Sequence, residues 1–478
     1  MKSAGLALAG ATIVPQLLRA GEAVSPVMEQ LSTYMSGARD RELPAEVVEK
    51  AKRHTLDTFG AMISGSELPP GRAALKFARA YGGEKVATVA ASNIVCGAIE
   101  AALTNGLLAH SDETDDSHGP SQSHPGCSIV PATLAAGEQF GIGGTQFLRA
   151  MALGYDVGTR VAMTMGGRDI ELKTHKSSHN IAGTFGSAAA AGCAASLTSQ
   201  QMRWLLSYAA QEAGGTAAWQ RDPDHIEKGF DFAGGPARNG VTAAILVQSG
   251  WTGVDDIFSG ADNYFQAYAP QADPAGLVNK LGEQHEVART NIKKWTVGSP
   301  IQAPLDALFN IQKKHDFKPE QVQKVVVRLA SSQASIVNGR EIVDINLQHL
   351  MAVMLIDKTV SFRSTHDTAR MQDPAILRER AKIQLAGDEG LQKLMPTRVA
   401  IVEVTLVDGT QLSDRVEDVR GTVENPMSRE EVVDKVRDLI APVIGLPNGN
   451  KLIETVLSLE KVTDIRELRS VLQKIRAS

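Results

Sequence analysis

The spacing of apolar residues predicts helices through most of the first half of the chain. Between Pro44 and Ser66, apolar side chains recur at every third or fourth position, and Gly65 stands where a helix C-cap is expected. Further helical segments, rich in alanine and glycine, are predicted at Gln139–Met163, Ile181–Leu197, Gln200–Ala217 and Ala237–Ser249. Strand patterns are scarce in this half, which favours an all-helical domain.

The pattern changes after residue 275. Val322–Ala330 and Arg398–Val407 are rich in β-branched residues and predict strands. Asp408-Gly409 follows the second run directly and predicts a tight hairpin. Helices are predicted between these strands, around Pro304–Lys314 and His349–Asp357. This region is therefore predicted to be a smaller α+β domain.

Helical periodicity returns near the C-terminus, behind a capping-box pair formed by Ser428 and Glu431. A chain of 478 residues is too long for a single ordinary core. We therefore predict a mainly α fold in which residues 25–272 and 425–478 form a large all-helical domain. Residues 273–424 are predicted to form the smaller α+β domain.

The first 24 residues have features of an export signal, because Lys2 precedes an apolar run and small residues follow Arg19. A docked N-terminal helix is the alternative. The expected location is the cytoplasm, or the periplasm if this segment directs export. No other segment has the ~18 uninterrupted apolar residues that a membrane span needs. A net charge of −5 offers no basic field for nucleic acid.

The most polar segment is 110–126, HSDETDDSHGPSQSHPG, which lies between two apolar stretches and carries four acidic residues and three histidines. These side chains could bind a divalent metal, although the spacing of His118 and His124 matches no established ligand pattern. They could act in general acid/base chemistry, in which a carboxylate orients an imidazole. They could also be structural, with Asp115 and Asp116 as helix caps and the histidines in a solvated loop.

Three further polar segments supply imidazoles and lysines. His179 stands ahead of an apolar helix whose N-terminus would favour the carboxylates of an anionic substrate. The glycines after His179 follow no strand, so we reject a dinucleotide-binding loop. Lys228 precedes a glycine-rich turn, and Lys293 and Lys294 open the second domain. With the acidic segment, these residues would suit a small polycarboxylate held between two domains and acted on by proton transfer.

The order of these segments resembles the MmgE/PrpD family, whose members include dehydratases, decarboxylases and an epimerase of small carboxylic acids. The likeness begins at LPAEVVEKAKRHTLDTFGAMISG and continues through NGLLAHSDETDDSH, the following HPG, SHNIAGTFGSAAAAG and KGFDFAGGPARNG. It ends with KKWTVGSPIQAPLDAL and LQHLMAVMLID, and so covers nearly the whole chain from residue 30 onward. The resemblance implies a helical domain built from both ends of the chain, a smaller α+β domain, and an active site in the cleft between them. It also implies a homodimer that needs neither a metal nor an organic cofactor.

Carried over residue by residue, the resemblance implies catalytic roles for Glu113, Asp116, His124 and His179. It implies substrate-binding roles for Asp115, Ser117, Lys228, Lys293 and His349. Asp112 is the alternative to Glu113 if the loop is shifted, and Lys294 is the alternative to Lys293.

The small-domain side departs from the family pattern. Val297, Gly298 and Ser299 stand where the decarboxylases carry a histidine, and His349 occupies the position of an active-site tyrosine. The resemblance implies a lyase or hydro-lyase, dehydrating or decarboxylating a small di- or tricarboxylate. An epimerase of a small dicarboxylate is the alternative, and a non-catalytic carboxylate-binding protein is a second one. In the enzyme, His179 or His124 would be the base, Asp116 and Glu113 would orient or relay, and the lysines would hold carboxylates.

Overall fold

The computed structural model describes residues 23–474. The signal-like or docked segment was predicted for residues 1–24, and its first 22 residues lie outside the described residues. Its α-helices are α1 Pro26–Ser36, α2 Ala45–Gly65, α3 Pro69–Tyr81, α4 Ala98–Ala109, α5 Gly126–Phe140, α6 Gly144–Thr164, α7 Arg168–Thr174, α8 Ser178–Ala194, α9 Ser199–Glu212, α10 Ile226–Gly229, α11 Gly235–Gln248, α12 Tyr264–Tyr268, α13 Ser299–Lys314, α14 Ser331–Val337, α15 Leu347–Asp357, α16 Phe362–Thr365, α17 Pro374–Arg380, α18 Glu389–Gln392, α19 Arg429–Ile444, α20 Leu446–Leu457 and α21 Arg469–Leu472. None of these helices is both long enough and apolar enough to cross a lipid bilayer.

The strands form one small pair and one four-stranded sheet. Their bounds are β1 Ala87–Thr88, β2 Val95–Cys96, β3 Val322–Ala330, β4 Ile383–Asp388, β5 Ala400–Leu406 and β6 Gln411–Val416. The larger sheet has the order β4-β3-β5-β6, with β3 parallel to β4 and the other two pairings antiparallel. The two predicted long strands and the hairpin after Asp408-Gly409 are therefore confirmed. Alternating burial along β5 explains why its sequence was recognisable, since one face packs on the core.

Two hydrophobic cores lie side by side, and together they confirm the mainly α architecture with a smaller α+β part. The first core takes its residues from positions 28–292 and 427–472, and the second from positions 295–419. The C-terminal helices pack back on the first core, as predicted: the Nζ atom of Lys435 in α19 lies 2.6 Å from a carboxylate oxygen of Asp57 in α2. The capping box of α19 is also present, with Ser428 Oγ accepting a hydrogen bond from the Glu431 backbone N–H at 3.2 Å. The exact domain boundaries at 272/273 and 424/425 stay predictions.

Glycines in the helical domain serve close packing more than helix termination. Gly65 was expected to be a C-cap, but it is the last residue of α2 and the helix ends at Ser66 in a right-handed conformation. A Cβ at Gly65 would overlap the carbonyl oxygen of Leu108 in α4. The close approach of α2 to α4 therefore explains why this position is a glycine. Gly141, by contrast, does adopt a positive φ of 70° and ends α5, so the helix predicted from Gln139 begins only at α6.

Gly158 provides a direct test of this packing. A Cβ at this position in α6 would overlap the carbonyl oxygen of Ala182 in α8, and backbone atoms cannot move aside cheaply. Gly158→Ala should therefore lower the free energy of unfolding by about 1–3 kcal/mol, although alanine is the better helix former. Gly119→Ala is the control, because a Cβ there would meet open space. Chemical denaturation of both variants measures the effect, and equal stability would contradict this explanation.

Candidate active site

The loop between α4 and α5 carries the acidic segment into the interior of the protein. Asp112 and Glu113 are 3% and 5% exposed, and Asp115 and Asp116 have no exposed surface. The structural hypothesis expected a solvated loop, and that part of it is wrong, since His118 is only 1% exposed. Buried carboxylates are stable only among cations or hydrogen-bond donors. The partners of each acid therefore define what this segment can do.

Asp116 is held by the helical domain. Its Oδ2 atom lies 2.8 Å from His54 Nδ1 in α2 and accepts a hydrogen bond of 2.6 Å from the hydroxyl of Tyr155 in α6. Its Oδ1 atom accepts the backbone N–H of Gly126 at 2.8 Å, which satisfies a donor in the first turn of α5. The capping role in the structural hypothesis therefore applies to Asp116. These contacts position the loop, and the catalytic role of Asp116 stays a prediction.

Asp115 joins two imidazoles to a lysine. Its carboxylate lies 3.0 Å from His110 Nδ1, 3.2 Å from His124 Nδ1 and 3.5 Å from Lys293 Nζ. Burial alone would raise the pKa of Asp115, but the positive charges of His110, His124 and Lys293 hold it well below its usual range. Asp115 is therefore an anion that orients both imidazole rings through their Nδ1 atoms.

Glu113 forms an ion pair with Lys228 and also faces Lys293. Lys293 Nζ lies 3.6 Å from the Glu113 carboxylate and donates a hydrogen bond of 2.7 Å to the Glu113 backbone oxygen. Burial would raise the pKa of Glu113, yet the two lysines hold it well below its usual range. Burial would lower the pKa of Lys293, and Asp115 and Glu113 more than reverse this effect. The site therefore holds two ammonium groups whose charges are matched by carboxylates of the loop.

These contacts favour Glu113 and Lys293 over their alternatives. Asp112 lies 3.2 Å from the ring of His366 instead of near the two lysines. Lys294 pairs with Asp306 at 3.5 Å and lies over the ring of Trp295.

The segment around Lys228 is helical, so the glycine-rich turn predicted there is wrong. α10 continues into a π-helical turn at Phe230–Gly234 and then into α11. Such wide turns occur mostly as single insertions in helices, often at functional sites. Here the turn places the ring of Phe232 under Lys228 Nζ, at 5.2 Å, and against His179.

His179 is the second residue of α8 and lies in the same cluster. Its ring stacks on Phe232 with a centroid distance of 3.6 Å and lies 5.3 Å from the ring of His124. Its buried Nδ1 atom has no hydrogen-bond partner in the part of the chain that the structure describes. Burial, followed by the charges of His124, His110 and Lys228, places the pKa of His179 well below its usual range. His179 is thus a neutral imidazole at neutral pH, as a general base must be.

Two predicted substrate-binding residues lie apart from the histidines. Ser117 pairs through its backbone with Asn291 and lines a cavity of about 330 Å³ at the junction of the two cores, next to Lys293. His349 is fully buried in α15, and the charges that act on it are those of Arg380, Arg370 and Asp367, outside the cluster. Neither ring nitrogen of His349 has a hydrogen-bond partner in the part of the chain that the structure describes. Its substrate-binding role stays a prediction.

Four residues in contact with the cluster carried no recognisable signal in the sequence: His54, Tyr155, His225 and His366. Each lies far along the chain from the acidic segment, and only the tertiary structure brings it to an acid or imidazole of the loop. His225 has a positive φ of 60°, and its ring lies 5.1 Å from that of His110. A positive φ is uncommon for a histidine, and nothing in the sequence indicates it.

Among the residues that the structure describes, two groups of side chains could hold a metal ion by their spacing alone. They are His110, Glu113 and His225, and His110, Asp115 and Cys127, each with ligand atoms within 4.8 Å of one another. Both groups use carboxylates already paired with ammonium groups, which would repel a cation. Burial raises the pKa of the Cys127 thiol well above its usual value, so it is a protonated and poor ligand. A cofactor-free site stays our prediction.

The fold and the cluster define a mainly helical, two-domain protein whose domains meet over buried, mutually neutralised acids, imidazoles and lysines. The chain belongs to the MmgE/PrpD family. The family model of the MmgE/PrpD N-terminal domain matches residues 29–276, and that of the MmgE/PrpD C-terminal domain matches residues 295–461. The family resemblance seen in the ordered sequence segments is thereby confirmed.

Similar curated proteins span almost the full length of the chain. Cis-aconitate decarboxylase of Homo sapiens is 25% identical, with 94% of each chain covered. The cis-aconitate decarboxylase-like protein oryM of Aspergillus oryzae is 24% identical, covering 93% of this chain and 97% of the relative. Cis-aconitate decarboxylase of Aspergillus terreus is 23% identical, covering 94% and 96%.

The pairing of His366 with Asp112 predicts a pH-dependent stability. Burial would lower the pKa of His366, but Asp112 raises it to about 8. A histidine whose pKa is higher in the folded than in the unfolded protein stabilises the fold when it is protonated. This contribution is fully present at pH values below the unfolded pKa of about 6.5 and is lost as the pH rises through 8. The stability difference between wild type and His366→Asn should thus shrink by about 2 kcal/mol between pH 6 and pH 9.

Urea denaturation at the two pH values measures this change. His315→Asn is the control, because His315 is exposed and makes none of these contacts. A difference for His366→Asn that is the same at both pH values would show that the ion pair does not form.

Proposed function

We propose that the protein is a cofactor-independent lyase that acts on a small di- or tricarboxylate by acid/base proton transfer. The observation that carries this proposal is the grouping of a neutral imidazole, His179, with two ammonium groups, Lys228 and Lys293. A base that is neutral at neutral pH can accept a proton from a carbon next to a carboxylate. Fixed cations stabilise the enolate-like charge that the removal creates.

The contacts of the lysines indicate how a substrate would bind. Glu113 is the group paired with Lys228, and a substrate carboxylate is the natural competitor for that ammonium group. Lys293 stays anchored by the backbone oxygen of Glu113 and by Asp115, so it can bind a second carboxylate without losing its position. His124, oriented by Asp115, lies beside His179 and would stabilise or relay the proton that His179 receives.

The relatives favour lyase chemistry over the alternatives. The similar proteins of human and fungal origin bear the names of decarboxylases of a tricarboxylate, so carbon dioxide loss and water loss are both within the proposal. Both reactions need a carbanion-like intermediate held by cations, and the two lysines supply them.

Epimerisation is the second candidate, because protonatable groups approach the cluster from both domains: His179 from the helical domain and His366 from the smaller one. An enzyme that removes a proton on one side and returns one on the other inverts the carbon. An epimerase would exchange deuterium from D2O into its substrate and release neither water nor carbon dioxide.

A panel of small di- and tricarboxylates, including cis-aconitate, tests the proposal. We expect dialysed protein to convert at least one member with loss of water or carbon dioxide, and to do so equally well with a chelator present. Isotope exchange without loss would favour the epimerase. Thermal stabilisation by the acids without turnover or exchange would support the non-catalytic binding protein instead.

His179→Asn should lower kcat by roughly 100-fold or more with little loss of stability, as expected for removal of a general base. His175→Asn is the matched control, since His175 lies four residues away, is exposed and has a positive φ that asparagine accepts. Turnover and melting temperature are measured on the same preparations. A His179 variant with a lowered melting temperature and intact turnover would leave His124 as the base.

A further inference from the structure

The smaller domain places a carboxyl group beside the cluster that no role described above uses. Asp344 precedes α15 and is only 4% exposed. Its Oδ1 atom is buried and has no hydrogen-bond partner within the described chain. A buried polar oxygen without a partner is costly in a folded protein, and such atoms often serve a ligand or a reaction.

The surroundings of Asp344 connect it to the cluster. The charges that act on its carboxyl group are those of His366, Glu113, Asp112 and Lys228, so it lies within electrostatic range of the loop acids. Its backbone oxygen accepts the N–H of Gly298 at 3.0 Å, which fixes the segment five residues after Lys293 against it. This hydrogen bond holds the backbone of Asp344 in place and does not involve its carboxyl group.

His366 and Asp112 form the other side of this junction, where they lie within ion-pair distance of each other. His366 lies 3.2 Å from Asp112 through one ring nitrogen and 2.8 Å from the Phe362 backbone oxygen through the other. The hydroxyl and backbone N–H of Thr114 also bind Asp112. Asp344 differs from Asp112 in that its Oδ1 atom has no hydrogen-bond partner among residues 23–474.

We propose that Asp344 is the proton donor that the smaller domain contributes to the reaction. This inference rests on the proposed lyase function and names a second group for it. A base such as His179 accounts for the proton that leaves the substrate, and both lyase reactions also need an acid that delivers one. Asp344 lies on the opposite domain from His179, as a donor to the other side of a bound acid should.

The proton transfers balance for either reaction. In dehydration, His179 takes the proton from carbon, the electron pair forms the double bond, and the carbon–oxygen bond breaks as Asp344 protonates the departing hydroxyl to water. In decarboxylation, the carbon–carbon bond breaks, its electron pair stays on the substrate carbon, and the Asp344 proton bonds to that carbon as carbon dioxide leaves. Asp344 ends as a carboxylate in both cases and regains its proton from solvent, and after dehydration His179 releases the proton it took to solvent.

The protonation state of Asp344 supports this role. Burial raises its pKa to about 6, with Glu113 and Asp112 adding to the rise while His366 and Lys228 oppose it. An anionic substrate beside Asp344 would raise the pKa further, because it adds negative charge. The group would therefore be protonated when the substrate is bound.

Asp344→Asn keeps the shape of the side chain and removes its proton. With an acid that the wild type consumes, we expect turnover to fall at least about 100-fold, while exchange of the substrate proton with D2O, which needs only the base, continues in the dehydration case. Glu341→Gln is the matched control, since Glu341 is exposed in the same segment. If Asp344→Asn does not fold, Asp344→Ser, which is smaller, takes its place.

A second measurement does not depend on turnover. Calorimetric titration with citrate at pH 6, in two buffers of different ionisation enthalpy, counts the protons taken up on binding. We expect the wild type to take up about half a proton more than Asp344→Asn, because a group with a pKa of about 6 is half protonated at that pH and becomes protonated next to the anion.

The outcomes separate the two proposals. Wild type that binds no citrate and consumes no acid overturns the proposed function, and the role of Asp344 with it. Wild type that binds and reacts, alongside an Asp344→Asn protein with equal turnover and equal proton uptake, overturns only the role of Asp344. Loss of turnover with unchanged proton uptake also contradicts the proposal, since the asparagine would then act through structure alone.

Discussion

The structure depends on the neutralisation of four buried carboxylates in one loop. Asp112, Glu113, Asp115 and Asp116 cannot lose their hydration unless cations or donors replace it, and isolated charges in a protein interior cost several kcal/mol each. The partners come from distant parts of the chain: His54, Tyr155, Lys228, Lys293 and His366. Folding of the loop and assembly of the site are therefore the same event.

This requirement also joins the two cores. Lys293, at the start of the second core, and His366, within its sequence range, both reach acids of the helical domain. Removing Lys293 or His366 alone would leave a buried carboxylate with less compensating charge. Breaking a buried ion pair in this way destabilises a protein more than replacing both partners by apolar residues. The charges of the site therefore match only when the two domains are in contact. This arrangement would suit substrate binding, because a substrate carboxylate entering at the junction can replace Glu113 as the partner of Lys228.

The same electrostatics distribute the protonation states. His110 and His124 are held by Asp115, whereas His179 stacks on Phe232 and has no carboxylate of residues 23–474 at hydrogen-bonding distance. Burial, with the charges of His124, His110 and Lys228, therefore lowers the pKa of His179, while burial raises that of Asp344 despite the opposing charge of His366. Groups with pKa values moved in opposite directions across one junction are the usual composition of an acid/base site. The small residues of α6 and α8 matter here as well, since Gly158 and Gly186 bring the helix carrying His179 close to its neighbour.

The sequence determined the features that repeat or have a fixed order. Period-two burial in β5, the Asp408-Gly409 hairpin, the Ser428 capping box and the ordered polar segments all predicted what the structure contains, because each depends on residues close together in the chain. The tertiary structure alone decided that Asp116 turns toward His54 and Tyr155 and that His366 reaches Asp112 in the loop. The physical reason is that pairing of buried charges depends on distances between segments hundreds of residues apart, which no local pattern encodes.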